Sequence, residues 1–122
     1  DGEFDLIFCN HVLEHIEDDN KAMEELYRVM KSGGMGIFQI PQELARETTY
    51  EDTNIITPED KAKHFGQYDH VRVYGMDYFD KLRDIGFKVE ALNYSAKLSE
   101  EEINTYRLAK GELLPVCTKL VN

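Results

Sequence analysis

The chain has 122 residues, 42% of them hydrophobic, and 14 basic against 24 acidic side chains give it a formal charge of −10. That size and balance fit one globular domain and exclude a disordered chain. The negative charge, with no local basic patch to offset it, argues against nucleic acid and anionic lipid as partners, and no apolar run approaches the roughly 20 residues of a membrane-spanning helix.

Asp1-Gly2-Glu3-Phe4-Asp5 leads straight into an apolar run with no initiator Met, so the chain reads as a fragment. Residues 4 to 10 (FDLIFCN) are rich in β-formers and predict a mostly buried strand of the parallel type. From Asp18 the period becomes helical, with Ala22, Met23, Leu26, Val29 and Met30 on one face, and Ser32-Gly33-Gly34 supplies the stop. Residues 35 to 40 (MGIFQI) predict a second strand, ended by Pro41. Strand, helix and strand in that order make a βαβ crossover, hence an α/β domain.

Residues 41 to 57 are polar and weakly patterned, the length of a lid or binding loop. Thr57-Pro58-Glu59-Asp60 caps a short helix to about His64, and residues 68 to 75 read as loop. A helix over 76 to 85 stops at Gly86, and residues 87 to 92 (FKVEAL) alternate as a strand. Ser99 with Glu102 forms a capping box, with Leu98 and Ile103 at staple positions, so a helix runs from Glu100 to Lys110 before Gly111. Residues 116 to 121 (VCTKLV) make the last of four strands, accompanied by three or four helices. Cys9 and Cys117 sit in apolar runs without metal-binding spacing, as reduced cytoplasmic thiols do, and no secretion signal opens the chain.

His11-Val12-Leu13-Glu14-His15 matches the H-x-x-E-H pattern of inverted zinc peptidases. That chemistry needs the five residues inside one helix plus a distant third ligand, for which Glu90 is the candidate at comparable separation. Here the motif falls instead at a strand exit.

The same residues carry a closer likeness. Phe4 to Ile16, then Leu26-Tyr27-Arg28-Val29-Met30-Lys31-Ser32-Gly33-Gly34 and the apolar strand after it, resemble the second half of class I S-adenosylmethionine-dependent methyltransferases, of the type 11 kind. There the stretch is strand four, an exit loop with a V-L-E-H signature, helix D, a K-P-G-G turn and strand five. Residues 64 to 75 with Tyr78, Leu82, Gly86 and Phe87 resemble one subgroup, and are placed more loosely at strands six and seven.

The resemblance implies the C-terminal half of a doubly wound Rossmann-like sheet, with cofactor and substrate meeting at the carboxyl ends of the strands. Residues 1 to 122 would then be a partial domain lacking the glycine-rich cofactor-binding half, and inactive alone. S-adenosylmethionine is the implied cofactor, and Asn10, His11, Val12 and Leu13 would line its methionine end. Some family members that methylate hydroxyl groups hold a divalent cation through E-x-x-E-H at this place. Glu14 and His15 keep two of those positions, and His11 stands in the first. Such a cation would acidify a bound hydroxyl.

His70 is the candidate base and Asp69 the carboxylate to orient it, with His64, Tyr68, Arg72 and Tyr74 as substrate contacts around an anion clamp. The acceptor is expected to be a small molecule. The competing reading is a binding or assembly module that pairs through its first strand, as a homo-oligomer or with a partner chain. Nine acids against two bases in residues 1 to 30 read as a solvated helix start more readily than as a docking surface.

Overall fold

The computed structural model of the chain describes residues 1–41, 43, 45–93, 98–106 and 113–121, apart from the side chains of Ile103 and Tyr106. In chain order the elements are β1 (Phe4–Phe8), a 3-10 turn at Leu13–His15, α1 (Asp19–Val29), β2 (Met30–Ile37), β3 (Tyr50–Glu51), α2 (Pro58–Phe65), β4 (Arg72–Val73), α3 (Tyr78–Ile85), β5 (Lys88–Leu92), α4 (Glu100–Tyr106) and β6 (Leu114–Thr118). β1 pairs in parallel with β2 across the α1 crossover. β6 then inserts antiparallel between β2 and β5, giving a mixed sheet of order β1-β2-β6-β5.

The apolar periodicity positions the helices. α1 presents Met23 to the core, and α3 presents Tyr78, Phe79 and Leu82, so the two helices pack together over one face of the sheet. Phe38, Ile40, Phe87 and Cys117 complete the core beneath them. Gly86 ends α3 at φ 129°, and a Cβ there would stand 3.2 Å from the Tyr27 ring, so both conformation and space call for glycine. α2 has the cap its sequence promised: the Thr57 hydroxyl accepts from the Asp60 amide at 3.1 Å, and Gly66 closes the helix at φ 91°.

Several expectations are corrected. The strand expected over residues 4 to 10 is β1, shorter and far more open than its composition suggests. Phe4, Leu6 and Phe8 are 50%, 47% and 62% exposed, because β1 is the edge strand and nothing among the described residues covers that face. The helix expected to reach Ser32 stops at Val29, since Met30 already takes extended geometry, pairs with Phe4 and buries its side chain. Gly33, at φ 84°, makes its turn inside β2, where the register with β1 shifts between Phe4 and Leu6.

The stretches 41 to 57 and 68 to 75, expected as loops, each contain a two-residue strand. β3 and β4 pair antiparallel as a separate small sheet. The strands that follow them in the main sheet lie further along than residues 64 to 87, at β5 and β6. α3 begins at Tyr78 rather than Met76, and β6 is shifted toward the N-terminus from the expected 116 to 121. The capping box of α4 is present, with the Ser99 hydroxyl accepting from the Glu102 amide at 3.1 Å. The rest of the expected helix, residues 107 to 110, lies outside the described residues.

Candidate functional site

At the carboxyl end of β1 the chain turns sharply. His11 takes φ 57°, a left-handed conformation uncommon outside glycine, and its amide donates to the Gln39 carbonyl at 2.7 Å. The Asn10 side chain accepts from the Gln39 amide at 3.3 Å. This exchange ties the exit of β1 to the segment after β2 and leaves Asn10, His11 and Val12 exposed at that end of the sheet. Leu13 turns the other way and is fully buried in the core, so it can offer a ligand only its backbone.

The 3-10 turn that follows bears directly on the H-x-x-E-H motif. Only Leu13–His15 are helical and His11 lies outside the turn, so the two histidines do not share a helix face as the peptidase chemistry requires. Glu90, the expected third ligand, is exposed on β5 beside Lys88. The peptidase expectation is therefore corrected.

A second segment docks on this turn. The Val71 amide donates to the Glu14 carbonyl at 2.9 Å. Arg72 is only 2% exposed: Nη1 donates to the carbonyls of Leu13 at 2.6 Å and Ile16 at 2.5 Å, Nη2 to that of Glu17 at 2.8 Å, and Nε to Glu51. The guanidinium thus holds the strand-exit loop in place. Its donors are engaged with backbone and Glu51, which leaves little for the anion clamp expected of it.

Below Arg72 lies a buried polar network. Asp19 accepts from the Tyr74 hydroxyl at 2.6 Å and from Lys81 at 3.0 Å, and stands 3.7 Å from Arg72 Nε. Burial works to raise the Asp19 carboxyl, but the hydrogen bonds from Tyr74 and Lys81, with the charge of Arg72, hold it below the usual aspartate range. Tyr74 is pushed far above the ordinary tyrosine value, first by burial and then by Asp19. A phenol so placed stays neutral, and its expected substrate contact is replaced by a structural bond.

Next to the turn the structure brings together Glu14, His15, Asp69 and His70. His15 Nε2 is 3.4 Å from Glu14 Oε1, and its Nδ1 is 3.2 Å from Asp69 Oδ2. The rings of His15 and His70 meet edge-on with centroids 4.6 Å apart, and His70 Nδ1 lies 3.3 Å from the Phe65 carbonyl oxygen. Asp69 therefore sits on His15, whereas a backbone carbonyl orients His70. Burial pushes the Glu14 carboxyl up, against the opposing pull of His15, His70 and His11. Burial and the charge of Glu14 likewise raise the Cys9 thiol, and burial raises Cys117 to about 12, which leaves both free thiols protonated.

His64 and Tyr68 lie at the surface, His64 Nδ1 3.2 Å from the Tyr50 hydroxyl. Between β3, β4 and the start of α2 opens a cleft of about 320 Å³, lined by Glu17, Glu51, Ile55, Ile56, Lys61 and Arg72 among others. No local signal marks Glu51 or Gln39, whose roles depend on pairings across more than twenty residues.

Residues 1–38 match the family described as "Methyltransferase domain". The fold of the chain is similar to that of solved methyltransferase structures. A candidate methyltransferase from Bacillus halodurans aligns with 99% of this chain and 66% of its own at 16% identity and TM-score 0.59. An S-adenosylmethionine-dependent methyltransferase from Mesorhizobium loti aligns with 95% and 61% at 15% identity and TM-score 0.59. A Haemonchus contortus phosphoethanolamine N-methyltransferase, in complex with phosphomonomethylethanolamine and S-adenosylhomocysteine, aligns with 98% and 34% at 14% identity and TM-score 0.56. The chain thus spans between a third and two-thirds of these structures. No curated protein sequence matches it. The methyltransferase resemblance read from residues 4 to 41 is borne out, and so is the α/β fold it implied.

Proposed function

We propose that this chain forms the second half of an S-adenosylmethionine-dependent methyltransferase that acts on a small molecule in the cytoplasm. The observation that carries the reading is the Asn10–Val12 turn. It is exposed and braced by Gln39 at the carboxyl end of a parallel strand pair, where open α/β sheets take their ligands. When bound, the cofactor supplies an electrophilic methyl group on a sulfonium. Asn10, His11 and Val12 would line its methionine end, and Leu13 would anchor the turn from below. Transfer of such a methyl asks chiefly for in-line positioning, so the rigid turn matters more than a strong base. The acceptor would enter from the side of the exposed His64 and Tyr68, with His70 and Asp69 as polar groups toward it.

The test is isothermal titration of the whole protein with S-adenosylhomocysteine. One site is expected, with Asn10→Ala weakening it about tenfold, roughly 1.4 kcal/mol, and residues 1–122 alone binding more weakly than the whole. Absence of binding by the whole protein overturns the reading.

A second reading rests on the open edge and the exposed Phe4, Leu6 and Phe8 of β1, which suit assembly of two copies. Light scattering should then show a dimer that Phe8→Asp dissociates. A monomer at high concentration removes this reading.

A further inference from the structure

The geometry points to a divalent-cation site of the zinc type formed by Glu14, His15 and His70, with Asp69 as the outer group that orients His15. The site shares His70 and Asp69 with the acceptor side of the transfer reading but does not depend on it, and it recruits His70 rather than His11, the neighbour that the sequence motif suggested.

Three observations carry it. First, Glu14 is 2% exposed and neither carboxylate oxygen has a hydrogen-bond partner. A buried carboxylate left without a donor is costly and uncommon, and here it faces two imidazoles. Second, one ligand atom from each of Glu14, His15 and His70 falls within 4.8 Å of the others. His15 Nε2 and Glu14 Oε1 are 3.4 Å apart, long for a charge-assisted hydrogen bond. Two ligands each about 2.0–2.1 Å from a tetrahedral ion stand roughly 3.4 Å apart, so this pair already has the spacing of one coordination edge.

Third, the tautomers agree. His15 Nδ1 lies 3.2 Å from Asp69 Oδ2 and 3.3 Å from the Asp69 carbonyl oxygen, both acceptors, so it carries the proton. His70 Nδ1 faces the Phe65 carbonyl, another acceptor, and carries its proton too. A ring with its single proton on Nδ1 has its lone pair on Nε2, and for His15 that Nε2 is the atom turned toward the Glu14 carboxylate. Two acceptors pointed at each other with nothing between them call for a positive group. Histidine ligands of metals are commonly held this way, with the far N–H on a carboxylate or carbonyl.

Two imidazoles and one carboxylate favour zinc and its first-row neighbours over magnesium or calcium, which prefer all-oxygen shells. The backbone supports the arrangement as well. The bond from the Val71 amide to the Glu14 carbonyl and the Arg72 bonds to the turn fix the two segments that bring the ligands. His15 is half-buried, so one side of the site stays open to a water or other fourth ligand.

The experiment titrates the metal-free whole protein with cobalt and then with zinc. Cobalt is followed by its visible d–d absorption, and zinc by competition and by the shift in Tm. One equivalent is expected to bind, with the intense spectrum of a four-coordinate N/O site. His70→Ala and Glu14→Gln should each weaken binding at least about a hundredfold, and Asp69→Asn by about ten- to a hundredfold. Glu14→Gln removes an uncompensated buried charge, so in metal-free buffer it should melt no lower than the parent. Its loss of binding then reports a lost ligand rather than lost folding. If the parent binds neither ion, or if Glu14→Gln and Asp69→Asn bind as tightly as the parent, the proposal is overturned. The pair is then an ordinary Glu14–His15 imidazolium contact.

Discussion

Arg72→Met should destabilise the protein by about 3–5 kcal/mol, the range for removing one partner from a buried charged cluster. The guanidinium is nearly inaccessible, and its planar fork reaches three carbonyls of the strand-exit loop as well as Glu51. Methionine fills similar volume but returns no donor, so the carbonyls of Leu13, Ile16 and Glu17 lose a buried partner at once. Lysine should rescue little, because an ammonium is a point charge and cannot bridge carbonyls arranged around a plane. Glu51→Gln should cost under about 1 kcal/mol, since Glu51 is half-exposed and its charge is screened. Urea unfolding followed by circular dichroism measures all three variants. An Arg72→Met loss below that of Glu51→Gln would show that the loop holds itself.

The legibility of this fold in its sequence varied with the range of the forces involved. The βαβ unit was readable because its signals are local: β-formers in residues 4 to 8, the helical period from Ala22 to Val29, and the glycines after it. The caps at Thr57 and Ser99 were readable for the same reason, each being complete within four residues. β3 and β4 were not, because a two-residue strand has no periodicity of its own and exists only through pairing of Tyr50 with Val73 and Glu51 with Arg72. Exposure of β1 was equally hidden, since an apolar run says nothing about whether a neighbour covers it.

The candidate site was half legible. The residue types around it were apparent from the sequence, but their partners were not. Adjacency alone pairs Asp69 with His70, whereas the fold carries it to His15, fifty-four positions earlier. Arg72 and Tyr74 looked available for substrate because isolated charged and aromatic residues in a loop usually are. Only the tertiary structure shows that Arg72 closes on backbone carbonyls and Tyr74 on Asp19.

Asp19 anchors the same network from the helix side, and its replacement has a pH signature that Arg72 lacks. Asp19→Asn should cost about 3 kcal/mol or more at pH 7, because Lys81 and Arg72 lose a buried counter-charge and the Tyr74 hydroxyl loses a charged acceptor. Asp19 releases its proton more readily in the fold than in the unfolded chain, despite its burial, because Tyr74, Lys81 and Arg72 stabilise the carboxylate. Below the ordinary aspartate value the unfolded chain therefore takes up the proton first, and stability falls as pH drops toward the lower native value. The deficit of Asp19→Asn relative to the parent should accordingly be constant above about pH 5 and shrink as pH falls below about 4, where the parent carboxylate is neutralised as well. Urea midpoints of both proteins between pH 2.5 and 7 measure this directly. A deficit that stays unchanged at the acid end would mean that the amide fails for reasons of shape, with the charge of Asp19 contributing nothing. The double variant with Arg72→Met decides how far the two residues act together, since sites in one network lose less in combination than the sum of their separate losses.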